Sequence, residues 1–254
     1  MSELFRLDRF IAESTSYTRS ETKVLIKKGR VKVNGIIAKD GASKVNIASD
    51  AVSLDDEPIS FVKNHYYMLY KPAGCVSATK DRISDTVLDI IKDEPGAKDL
   101  FPIGRLDKDT EGLLIISDDG ALAHDLLSPR KHVDKTYIAI VDKSLSAEHM
   151  AYFKEGVDIG DDKPCLPASI EQTSFDGELP SELLESTSID RDLAYRITIC
   201  EGRYHQIKRM FEACGSKVLY LKRISMGGLT LDGKLSKGEY RPLTEDELGL
   251  LNKN

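Results

Sequence analysis

The chain has 254 residues, is 41% hydrophobic and 31% charged, and carries a formal net charge of -6. That length holds one or two domains with a real core, and the absence of any apolar run near the roughly 20 residues of a membrane helix excludes a helical membrane protein. The four cysteines, Cys75, Cys165, Cys200 and Cys214, form no C-x-x-C pair, which argues against a zinc ribbon or thioredoxin-type motif and for a reducing compartment.

The N-terminus, MSELFRLDRF, lacks the apolar core of a signal peptide, so a cytoplasmic location is expected. Leu4, Leu7, Phe10 and Ile11 recur at helical spacing. A second helix is expected from Thr18-Arg19-Ser20-Glu21, a capping-box pattern, to a stop at Gly29. Val31-Lys32-Val33, Asn34-Gly35 and Ile36-Ile37 follow, and Asn-Gly between alternating residues is a strong hairpin signal. Arg19, Lys23 and Lys27 lie four residues apart on one helical stripe, and Lys28 and Arg30 extend the charge into the turn. Such a stripe suits phosphate contacts, although a single charged stripe is ordinarily just a solvated face. The stretch Ser49–Ser60 reads as a last strand with an acidic exit, and a linker is placed at Phe61–Asn64.

RLDRFIAE and TRSETKVLIKKGRVKVNG resemble an S4 domain, a small RNA-binding module of α-α-β order. The resemblance implies that Arg19, Lys23, Lys27, Lys28 and Arg30 meet structured RNA. The module is assigned residues 1–60, and a second domain 64–254.

In that second domain His65–Tyr70 is strand-like, and Lys71-Pro72-Ala73-Gly74 breaks it. The loop Gly104–Gly112 crowds Arg105, Asp107, Lys108, Asp109 and Glu111 directly before the apolar run Leu113–Ile116. Asp118-Asp119-Gly120 reads as turn and cap for a helix over 121–127. Lys135–Val141 and Ala194–Cys200 read as strands. Ser146–Glu155 and Arg203–Cys214 read as helices stopped by Gly156 and Gly215. Strands outnumber helices and no βαβ repeat appears, so the class is α+β.

Charge is unevenly spread. Residues 1–48 carry ten basic and five acidic groups, residues 201–225 six and two, and residues 155–192 two and eleven. Two basic segments beside recognisable elements suit an anionic partner on one surface. In the expected helix over 203–214, Tyr204, Ile207, Phe211 and Cys214 fall on a core stripe, with His205, Lys208 and Arg209 toward another face. A half-buried lysine there can hold a carboxylate ionised. Taken singly, Tyr137 would be a strand core residue, Lys208 a surface charge, and Arg105 a partner for Asp109 or Glu111. The five histidines share no metal spacing.

LYKPAGCVSAT, FPIGRLDKDTEGLLIISDDGALAHDLLSP, KHVDKTYIAIV and EGRYHQIKRMFEACG, with LKRISMGGLTLDGKLSKGEYRPLT at the C-terminal end, resemble the pseudouridine synthases. The likeness is greatest to the bacterial branch of the small-subunit synthase A type. The resemblance implies a mixed, largely antiparallel central sheet with flanking helices. It implies isomerisation of a uridine in ribosomal RNA, 16S favoured: the N1–C1′ bond breaks, the uracil turns, and C5 bonds to C1′. No cofactor and no metal is required. The target must leave its stack before enzyme groups reach it. By the same resemblance Asp107 is the catalytic aspartate, acting as nucleophile or base, and Lys208 its basic partner. Tyr137 packs against the uracil, and Arg105 meets the flipped nucleotide or fills its place. Arg203, His205 and Arg209, in the second basic segment, are expected to face RNA. A monomer working on rRNA or a small-subunit assembly intermediate is the expectation. A 23S-directed synthase and a non-catalytic rRNA binder are the alternatives.

Overall fold

The computed structural model describes residues 4–61, 63–94, 96–186 and 189–251. Val62, inside the expected linker, lies outside them. Two units emerge: residues up to His65 together with Leu88–Phe101, and Tyr66–Val87 together with the chain from Pro102 onward.

In the first unit β1 (Leu4–Arg6), α1 (Leu7–Ser14), α2 (Arg19–Lys27), β2 (Val31–Val33), β3 (Ile36–Ile37), β4 (Lys44–Asn46), β5 (Val52–Leu54) and β6 (Glu57–Ile59) succeed one another. Leu4 belongs to a strand paired with β4, not to the first helix. The expected last strand over 49–60 is two short strands, β5 and β6, paired antiparallel. The Thr18 hydroxyl accepts from the Glu21 N–H at 3.3 Å, and the Glu21 carboxylate accepts from the Thr18 N–H at 2.8 Å, completing the capping box. Asn34 and Gly35 both take positive φ, 51° and 79°, as the two-residue turn from β2 to β3 requires. Leu7, Phe10, Ile11, Leu25, Ile26 and Val31 form the core. The apolar side of α2 is thereby consumed, and Arg19, Lys23, Lys27 and Lys28 are left exposed. Arg30 differs from expectation: its guanidinium pairs with Asp55, Nε donating at 2.7 Å.

Four exposed lysine and arginine heads on one side of α2 and its turn, of which Arg19 lies 3.9 Å from Glu13, give a direct expectation. Neutralising Lys23 and Lys27 together should flatten the salt dependence of RNA binding, because fewer counterions are released. A plot of log affinity against log salt checks this; an unchanged slope would show that this face does not touch phosphate.

After the first module the chain continues with β7 (Tyr66–Lys71), α3 (Val87–Ile90) and β8 (Phe101–Ile103). Then follow β9 (Glu111–Ser117), α4 (Gly120–Leu127), β10 (Lys135–Val141), α5 (Ala147–Glu155), β11 (Ser169–Thr173), α6 (Ser181–Ser186), β12 (Ala194–Ile199), α7 (Gln206–Ala213), β13 (Val218–Met226), β14 (Leu229–Thr230), β15 (Tyr240–Pro242) and α8 (Glu245–Leu251). The large sheet runs β11-β12-β10-β13-β9-β7-β15. Along this run only the central pair, β13 and β9, is parallel. β9 is buried along its whole length, as its continuous apolar run requires. Asp119 caps α4 as expected, its carboxylate accepting from Ala121 and Leu122. Ser146 caps α5 and Gly156 ends it. No helix among the described residues is long and apolar enough to cross a membrane.

The sheet's last strand is locked to α8 by Arg241, whose guanidinium donates to both Glu247 oxygens at 2.7 and 2.8 Å. These hydrogen bonds outweigh partial burial and bring the Glu247 pKa from 4.5 down to about 2. A depressed carboxyl stabilises the fold above its unfolded value and loses that effect as pH falls through the folded one. Glu247→Gln should therefore cost about 2 kcal/mol at neutral pH, allowing for partial exposure. Thermal unfolding should show the difference from the parent shrinking as pH drops from 4.5 toward 2; a pH-independent difference would refute the linkage.

Candidate active site

The polar loop before β9 is fastened from below by the LYKPAG segment. Lys71 ends β7 with no exposed surface. Its ammonium donates to the carbonyls of Pro72 and Thr110 at 2.9 Å and of Lys108 at 3.3 Å. Gly74 N–H donates to the same Lys108 carbonyl at 2.8 Å. The Ser77 hydroxyl donates to Leu106 O at 3.0 Å and accepts from Leu106 N at 3.1 Å. Burial pushes the Lys71 pKa below its ordinary value, against which Asp109, Glu111 and Asp107 all pull upward. A cation thus sits under a loop rich in carboxylates, and that loop's backbone is held at both ends. The sequence places this lysine only in the Lys71-Pro72-Ala73-Gly74 turn, with no role implied. The available signal was a charged residue at the end of an otherwise apolar, aromatic strand.

Gly112 lets the loop enter the sheet. It takes φ +109°, and a Cβ there would lie 2.1 Å from the Arg223 carbonyl oxygen. Only glycine tolerates both the backbone angle and the approach of β13. Arg223 is in register with Gly112 on one side and with Tyr137 on the other. Register therefore puts Tyr137 two strands from the loop mouth, and its side chain is buried. No hydrogen bond or ion pair among the described residues joins Tyr137 to Asp107 or Lys208. Arg223 is itself buried and donates from Nε to Leu113 O at 2.8 Å.

Asp107 and Lys208, 101 positions apart in sequence, come together at the loop mouth. Lys208 Nζ lies 3.2 Å from Asp107 Oδ2. It lies nearer still to Asp109, 2.6 and 2.8 Å from its two oxygens. The Asp107 side chain is 29% exposed and that of Asp109 72%. Burial works against the Lys208 charge, but the hydrogen bonds and charges of Asp109, then Asp107, outweigh it and raise its pKa. One ammonium therefore serves two carboxylates, of which the less exposed is Asp107. His205 Nε2 approaches Asp107 Oδ1 from another side at 3.6 Å. In the sequence Asp109 stands out only as a partner for Arg105. Arg105 instead is exposed, with no ion pair among the described residues.

Beside this cluster a cavity of about 260 Å³ is lined by Ala73, Asp109, Lys208, Tyr220 and Leu221, among others. A larger cavity, about 490 Å³, lies over Thr136, Thr198 and Lys222 and reaches neither Asp107 nor Lys208. Asp107 lines neither, while Lys208 and Asp109 line the smaller one. Its wall is stiffened by Glu111, almost fully buried, which accepts from the Tyr220 hydroxyl at 2.7 Å and pairs with Lys237 at 3.0 Å.

Three expectations for the helix over 203–214 need correction. α7 starts at Gln206, and its buried stripe is Ile207, Met210 and Phe211, with Phe211 against Phe153 and Tyr195. Tyr204 precedes the helix and is 76% exposed, not part of the core. His205 adopts a left-handed conformation that turns the chain before the helical pattern begins. Arg203 and Arg209 are also taken up differently. Arg203 donates to Glu201, Lys163 O and Pro164 O, and Arg209 to Asp161 and Ile159 O. These guanidinium groups fasten the acidic loop over 158–164, and both side chains stay about a quarter exposed, 24% and 25%.

An α+β sheet with a carboxylate and a lysine converging at the mouth of its central parallel pair is a scaffold for acid–base or nucleophilic chemistry. The sequence signature described as RNA pseudouridylate synthase matches residues 65–213, and that of the S4 domain residues 5–52. The chain belongs to the RNA pseudouridylate synthase family, and it is an isomerase that makes pseudouridine in RNA. A Bacillus subtilis protein named uncharacterized RNA pseudouridine synthase YtzG is 41% identical, over 97% of this chain and 98% of its own. Ribosomal small subunit pseudouridine synthase A of Haemophilus influenzae is 38% identical, over 98% of this chain and 100% of its own. The Escherichia coli K12 protein of the same name is 39% identical over 96% of this chain. A crystal structure described as a pseudouridylate synthase matches with a TM-score of 0.64 at 37% identity, covering 97% of this chain and 99% of that one. The fold is accordingly the pseudouridine synthase fold preceded by an S4 domain.

Proposed function

We propose that the chain converts one uridine of 16S rRNA to pseudouridine, with Asp107 as the catalytic aspartate. The convergence of Lys208 on Asp107 at 3.2 Å carries the assignment. Asp107 acts on the ribose–uracil unit of a flipped-out nucleotide, as nucleophile or as base. The N1–C1′ bond breaks, the freed uracil turns, and C5 bonds to C1′; the C5 proton leaves and N1 gains one, so nothing is added overall. Lys208 keeps the carboxylate charged and oriented as the closing base excludes water. Tyr137 packs against the uracil, and the exposed Arg105 meets the displaced nucleotide or fills its place. The α2 stripe of the S4 domain supplies phosphate contacts. The protein works as a cytoplasmic monomer, either on rRNA alone or on a small-subunit assembly intermediate.

The 16S target is supported by relatives named as small-subunit synthases that align over nearly their whole length. Incubation with unmodified 16S and 23S transcripts, followed by pseudouridine mapping, tests it. A single new site in 16S is the expected result; modification of 23S alone would move the chain to the large-subunit reading.

A further inference from the structure

Tyr204 is a large aromatic side chain, 76% exposed, that stands next to the His205 facing the Asp107 carboxylate. Its ring stacks on the His205 imidazole, with centroids 3.8 Å apart and planes 17° from parallel. His205 in turn brings Nε2 to 3.6 Å from Asp107 Oδ1. The order outward from the loop is therefore carboxylate, imidazole, phenol, water.

The pile is held in place rather than merely exposed. His205 has φ 48° and ψ 34°, a left-handed conformation uncommon for a residue with a side chain and often found at functional sites. The Tyr204 carbonyl accepts from Arg209 at 3.2 Å, and the Arg203 N–H donates to Gln206 Oε1 at 3.0 Å. Arg203 and Arg209 are themselves anchored to the loop over 158–164. The backbone on both sides of the ring is thus fixed, although nothing in the core needs that ring.

We infer that Tyr204, backed by His205, is a stacking platform for an unpaired nucleobase of the RNA next to the target uridine. Flipping a uridine out of its stack strips a neighbouring base of one stacking partner. A rigid phenol ring, one imidazole removed from Asp107, replaces that partner. Stacking on an aromatic side chain is tolerant of base identity because every base has a π-face, so the platform contributes affinity and placement, not base readout. The inference rests on the reading that ribosomal RNA is the substrate.

The test is binding of unmodified 16S and 23S transcripts to the full-length Asp107→Asn protein, in which no turnover is expected during measurement. Adding Tyr204→Ala should weaken binding about tenfold, within the range for one stacked base, while Tyr204→Phe should bind like the parent. The slope of log affinity against log salt should stay the same in all three, because no counterion-releasing contact is lost. Affinity of Tyr204→Ala within twofold of the parent would overturn the platform. So would a loss that Tyr204→Phe fails to restore, or one accompanied by a shallower salt slope. Binding needs no pseudouridine to form, so a wrong target assignment would show in the mapping experiment, and a wrong platform here.

Discussion

Asp107→Asn is expected to fold, to bind RNA, and to form pseudouridine more than about 10³-fold more slowly than the parent, as losses of essential catalytic groups commonly do. Asparagine keeps the shape and removes the charge. The fold should tolerate the change for a specific reason: Lys208 retains Asp109 at 2.6 and 2.8 Å, so its ammonium is not left unpaired. The backbone on either side of position 107 is held by Ser77 and Lys71 through bonds that the substitution does not touch. The melting temperature should shift little. Single-turnover pseudouridine formation against thermal unfolding reads both halves, and turnover within tenfold of the parent would remove Asp107 from the chemistry. Asp109→Asn is the paired control. Its side chain is 72% exposed, and its loss leaves Lys208 to Asp107 alone, so most activity should remain.

Lys208→Met should be nearly as damaging, while Lys208→Arg should keep substantial activity. Methionine preserves the aliphatic packing of the helix face and deletes the cation. Asp107 and Asp109 then lose the ammonium they share, and mutual repulsion pushes one carboxylate out of place or toward its neutral form. A loss of more than about 100-fold is expected, in the range for a misplaced catalytic group. Arginine restores the charge with a planar fork instead of a compact ammonium, so recovery is partial. If Lys208 were only a surface charge, worth at most about 1 kcal/mol in an exposed pair, both variants would match the parent. The pH–rate profile separates these outcomes. In the parent the Lys208 pKa lies above its ordinary value, so activity should not fall through loss of this proton as pH rises from 7 to 10. Lys208→Met should be depressed across that range.

How much of this was legible in the sequence depends on whether a feature is local. The Thr18–Glu21 capping box, the Asn34-Gly35 turn, the Asp119 and Ser146 caps and the strand Lys135–Val141 are short-range, set by the hydrogen-bonding and backbone preferences of neighbouring residues. They stand where the spacing placed them. The pairing of Lys208 with Asp107 was also anticipated, but through resemblance of motifs and not through periodicity, because helical spacing gives a face and never says what that face meets.

Tyr204 shows the same limit from the other side. Its place in an i, i+3 series made it core, yet the left-handed turn at His205 breaks the series before the helix begins, and one backbone angle moved the ring from the interior to solvent. Arg203 and Arg209 were basic residues in a basic segment, which is all that composition reports. Their partners lie on a loop some forty positions away, and that acidic loop was read separately as a region of opposite charge. The sequence by itself determined the caps, turns, strands and motif residues, since these depend on chemistry within a few positions. The tertiary structure alone decided that Lys71 is a buried clamp, that Asp109 shares the lysine with Asp107, and that Gly112 lies under Arg223. Each of those depends on which distant backbone comes within a few ångströms, and burial and pairing are properties of that approach, not of the residue.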